Sequence, residues 1–82
     1  MDPQELLFVR RIAVWADDWY DRLQRVPLSR SDCAALIRLV RRRDVDLENR
    51  LEYGGQSYEM NDEYIRAQAA LNRVLVRALQ LR

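Results

Sequence analysis

Three consecutive arginines, Arg41, Arg42 and Arg43, stand in the stretch LVRRRDVD at residues 39–46. Guanidinium groups make forked, planar contacts to phosphates and carboxylates, so the chemistry such a run suggests is anion binding. All fourteen basic residues are arginine, and lysine, histidine and threonine are absent. A GC-rich genome accounts for arginine in place of lysine without functional demand; contacts at an interface are the other use. On a helix the three side chains point about 100° apart, so they do not form one surface. Arg38 and Arg42 come closer to a common face, and Arg41 shares its outer side with Glu48. Asp46 precedes Arg50 by four residues, a helix-supporting pair. Residues 29–53 hold six arginines against five acids. The pattern reads first as a charge-compensated, solvated face. Its second reading is a patch for phosphate or an acidic partner, with Arg38, Arg41, Arg42, Arg66, Arg73 and Arg77 as candidates.

Other chemistry is largely excluded. Without histidine there is no imidazole general base and no histidine-dependent triad. Gly54 and Gly55 are the only glycines, which rules out the known phosphate-cradling loops. Asp44, Asp46 and Glu48 begin as a calcium loop does, but Asn49 stands where the turn glycine is needed and Gly55 where the closing glutamate belongs. Asp17, Asp18 and Asp21 share a turn and read as solvent-facing carboxylates. Cys33 is the one cysteine, so no intrachain disulfide forms and no zinc site is expected. Its place on an apolar stripe marks it as a small buried hydrophobe. We expect no enzymatic activity, no cofactor and no metal.

These residues belong to a single domain spanning 1–82. A chain of this size buries about 60–65% of the surface its unfolded form exposes, which leaves it marginal unless a staple or a partner helps. A lone thiol fits a reducing compartment. The longest apolar run, Ile12 to Ala16, is far shorter than a membrane span, and Met1-Asp2 does not open a signal peptide. The expectation is a soluble cytoplasmic protein without a membrane partner. Net charge is +1, too small for long-range steering toward nucleic acid.

Three helices are expected, over residues 3–26, 30–53 and 62–80, making a small all-α three-helix bundle with a long N-terminal helix. Asp2, Pro3 and Glu5 form a start signal, and Pro27 ends the segment. Ser29 caps the second helix with Asp32 three residues on, and Leu28 is placed to staple onto Cys33. Cys33, Leu36, Ile37, Val40, Leu47 and Leu51 share its stripe, with Asp44 in the middle. A carboxylate there needs an arginine, or a break in the helix. Val45 to Tyr53 also alternates as a strand would, so the minor alternative is a short β-hairpin around Gly54-Gly55. Asn61 is the expected cap of the third helix.

Apolar surplus points to partners. In the first helix Leu6, Val9, Ala13, Ala16, Tyr20 and Leu23 form one stripe, and Phe8, Ile12, Trp15, Trp19 and Val26 form a second beside it. Together they cover about half the circumference, wider than the roughly 100° a small core requires. The third helix has its own core stripe (Tyr64, Ala67, Leu71, Val74, Leu75, Ala78) and a further strip of Ile65, Ala69 and Val76 on another flank. It should be central or shared between subunits. The expected function is a small interaction module, self-associating as a dimer and docking on a larger protein through Phe8, Ile12, Trp15, Trp19, Tyr20, Ile65, Ala69 and Val76. An adaptor, an assembly factor or an inhibitor from a virus or mobile element all fit. The alternative is an arginine-using DNA- or RNA-binding regulator.

Overall fold

The computed structural model describes the backbone of residues 3–53 and 58–82, and the side chains of residues 3–50 and 61–82. Three helices follow one another: α1 (Pro3–Arg25), α2 (Arg30–Tyr53) and α3 (Tyr58–Leu81). Among the described residues there is no strand, and residues 45–53 lie inside α2, which removes the hairpin alternative. The Gly54-Gly55 turn lies outside the described residues.

α1 stops one residue short of its expected end, and the Val26 amide still donates to the Arg22 carbonyl at 2.8 Å. The start of α2 follows its expected chemistry. The Asp32 amide donates to Ser29 Oγ at 3.1 Å, half-buried Leu28 precedes the cap, and Cys33 is buried beyond it. α3 begins at Tyr58, a turn before its expected start, so Asn61 is an interior, half-buried residue rather than a cap. Glu59 and Met60 are good helix formers, and nothing in YEMN obliges a later start.

The core is one cluster drawn from all three helices, including Val9, Ile12 and Ala16 of α1, Leu36, Val40 and Leu47 of α2, and Tyr64, Leu71 and Val74 of α3. α1 runs parallel to α3: Glu5 and Arg10 meet Tyr64 and Glu63, while Asp17 meets Arg73. α2 runs antiparallel to α1, with Arg50 over Phe8 and Arg43 over Trp15. α3 packs along both other helices, whereas α1 and α2 barely touch. The central role expected for α3 is therefore realised inside one chain. Ala67 and Ala78 in α3 and Ala16 in α1 are fully buried, small residues that permit close helix approach. The molecule measures 40 × 20 × 17 Å, one helix long and two helices across.

Asp44 resolves differently from either sequence expectation. The helix does not break, and no arginine among the described residues forms an ion pair with it. Asp44 is half-buried on a cleft of about 250 Å³ between α2 and α3, beside Arg41, Glu48, Gln68 and Asn72. The carboxylate keeps part of its surface open on that cleft, so the stripe is interrupted without fully burying a charge.

Candidate functional site

Two surfaces collect the residues singled out from the sequence. The first lies between α1 and α2. Phe8, Trp15, Trp19 and Tyr20 are half-buried and pack against the core, and Ile12 is part of it at 3% exposure. The intermolecular seam expected along α1 is thus largely closed by the chain itself. Ile12 is committed to the interior, because it lies at the floor where α1 meets its neighbours. Val26, expected on the same stripe, is exposed beyond the helix end.

Arginines complete the closure. Arg43 lies 5.2 Å from the Trp15 ring centroid, Arg22 5.1 Å from Trp19, Arg50 3.9 Å from Phe8, and Arg73 3.9 Å from Tyr20. Among the described residues, four aromatic rings carry an arginine in this way. Arg50, expected to pair with Asp46, is used on Phe8 instead. A cleft of about 300 Å³ remains here, lined by Phe8, Arg11, Ile12, Trp15 and Arg43. Sequence reasoning missed this role for Arg22, Arg43 and Arg50. Arg22 was legible, three residues after Trp19; the other two needed the antiparallel register of α1 and α2.

The second surface is the outer side of α3. Ile65 is 62% exposed, Val76 46% and Leu79 38%, and Ala69 and Asn72 are exposed between them. These five residues are spaced 4-3-4-3, the seam of a helix that packs against another helix. Leu79 and Asn72 extend the strip of Ile65, Ala69 and Val76 at a spacing already present in the sequence.

The six candidate anion-binding arginines are not brought to one surface. Arg41 lines the α2–α3 cleft, while Arg66 and Arg73 line the α1–α3 side with Asp17. Arg73 forms an ion pair with Asp17 at 3.6 Å, and Arg77 donates to Gln80 at 3.4 Å. Arg38 and Arg42 are exposed on α2. Of the α1 carboxylates, Asp17 and Asp21 are engaged by Arg73 and Arg25, and among the described residues no group of three potential ligands could hold a metal ion. Cys33 is fully buried.

One perturbed group lies at the α1–α3 seam. The Tyr64 hydroxyl donates to Glu5 Oε1 at 3.1 Å. Burial, reinforced by that carboxylate, pushes the phenol up to about 12, with Arg50 opposing. This is a structural lock, since the ring is 2% exposed and no substrate could reach it.

No family model, curated protein or solved structure matches the chain. Among the described residues no helix is long and apolar enough to cross a membrane.

Proposed function

We propose that the protein is a helical protein–protein interaction module that self-associates through the outer face of α3 and docks on a larger protein. The observation that carries this reading is the exposed strip Ile65, Ala69, Asn72, Val76 and Leu79 on the most heavily packed helix of the fold. A helix that is already central has no need of a third apolar side unless another helix covers it. Electrostatics permit two copies to meet here. Arg73 is compensated by Asp17 and stacked on Tyr20, and Arg66 lines the same cleft as Asp17.

The strip is about 21 Å long, short for a standard interface, so the dimer should be weak. Sedimentation equilibrium on the wild type and Val76→Glu tests this. The wild type should approach twice the monomer mass at high concentration, and the variant should remain monomeric with unchanged helix content. Generic duplex DNA titrated across a salt series separates the DNA- or RNA-regulator reading. Phosphate contacts would give binding that falls steeply with salt, and the dispersed arginines lead us to expect none.

A further inference from the structure

The two flanks of the α3 strip differ in charge, and that difference bears on how two copies meet. On the α1 side the strip borders two clefts whose charged lining is Arg66, Arg73 and Arg77 against Asp17, net +2. On the α2 side it borders the cleft lined by Asp44 and Glu48 against Arg41, net −1. Asn72 lines clefts on both sides, so the strip is a ridge between a basic flank and an acidic one. Among the described residues neither Asp44 nor Glu48 forms an ion pair, and Asp44 is half-buried between Val40 and Leu47 of the core. Arg66 on the basic flank has neither an ion pair nor an aromatic ring beneath it among the described residues.

Symmetry then selects one arrangement. When two copies of a helix pair in parallel about a two-fold axis, each flank meets the opposite flank of the partner. When they pair antiparallel, each flank meets its own copy. The antiparallel dimer sets net +2 against net +2 and net −1 against net −1. The parallel dimer sets +2 against −1 at both edges. Asn72, at the centre of the strip, favours the same choice. In parallel it faces its own copy, and the two amides can hydrogen-bond; antiparallel, the amide lies on Ala69 or Val76. Asp62 opposes this arrangement, because it continues the spacing beyond Ile65 and meets its own copy in the parallel pair. It is exposed at the edge of the seam, where water and salt screen the two carboxylates.

We infer that in the dimer the two α3 helices run parallel, each copy laying its Arg66–Arg73 edge along the Asp44–Glu48 cleft of the other. The inference rests on the α3 strip being the dimer seam. Because α2 runs antiparallel to α3, Glu48 lies toward the Gln68 end of its cleft, and Arg66 stands about 3 Å along the axis from Gln68. Arg66 of one copy is therefore placed to meet Glu48 of the other. Arg73 stands at the level of the cleft itself, so its charge also offsets the Asp44 carboxylate across the seam. The second copy thus supplies the cationic neighbour that Asp44 lacks within its own chain.

Sedimentation equilibrium at low salt on Arg66→Glu, Glu48→Arg and the double variant tests the arrangement. Both side chains are exposed, and helix content by circular dichroism should be unchanged. Each single variant should weaken the dimer about tenfold, because two exposed attractive contacts become repulsive, and the double variant should return to within about threefold of the wild type. Antiparallel helices would give the opposite sign: Arg66→Glu would relieve a like-charge edge and tighten the dimer. Cross-linking reads the orientation directly. Arg82→Cys, at the exposed end of the chain, should form a disulfide with its own copy under mild oxidation, and adding Val76→Glu should prevent it; Cys33 is buried and does not compete. The inference alone is overturned by a dimer that Arg66→Glu tightens or leaves unchanged, or that the double variant fails to restore. A dimer in which Arg82→Cys links to Asp62→Cys in preference to itself overturns it as well. A wild type that stays monomeric overturns the seam on α3 and this inference with it.

Discussion

At the scale of single residues, arginine in this chain works chiefly against aromatic rings and within local pairs. Arg73 spans α3 to α1, ion-paired with Asp17 and lying over Tyr20. Both interactions are exposed, so Arg73→Gln should cost about 1 kcal/mol in denaturant unfolding, and Arg73→Lys should recover only part of it because an ammonium cannot stack. Tyr64 yields a pH-dependent prediction. Its folded pKa, raised to about 12 from 10.0, favours the neutral phenol in the native state. The unfolded chain releases that proton first, so the stability this group supplies is complete below pH 10 and is lost as pH rises toward 12. Tyr64→Phe removes the hydrogen bond to Glu5 and should cost about 1 kcal/mol at pH 7. Urea unfolding should show that deficit shrinking between pH 10 and pH 12; a constant deficit would contradict the assignment. None of this was legible from residue types alone. Arg73 reaches Tyr20 and Tyr64 reaches Glu5 only because α1 and α3 run parallel at this register.

At the scale of elements, the sequence reading went furthest. The apolar stripes of α3 and of α2 from Cys33 to Leu47 match the buried residues closely, because helical spacing and burial are the same constraint; Leu51 lies outside the residues whose side chains are described. Cap chemistry placed the start of α2. Ser29→Ala should lower stability by about 1 kcal/mol, measured by thermal unfolding, because the Asp32 amide loses its acceptor. Two readings failed for physical reasons. Asn61 had the right type for a cap, but the preceding residues also favour helix, so α3 starts earlier. Asp44 called for an arginine partner or a break, yet α2 runs unbroken over its expected length with the half-buried carboxylate on an open cleft and no ion pair to it among the described residues. Width of an apolar face, the motive for an interface on α1, does not separate a partner's surface from one roofed by long guanidinium side chains of the same chain.

At the scale of the whole molecule, three helices nearly as long as the protein leave apolar surface uncovered, most continuously along the outer line of α3. Size explains why. A 40 × 20 × 17 Å body has too few helices to enclose all three apolar faces, and one central helix must serve two neighbours at once. The account stands on the claim that the α3 strip is covered by a second copy. Sedimentation equilibrium from about 10 to about 500 µM decides it. The prediction is a concentration-dependent rise toward the dimer mass for the wild type, abolished by Val76→Glu with thermal stability unchanged. A wild type that stays strictly monomeric throughout that range would contradict the claim, as would a dimer that Val76→Glu leaves intact.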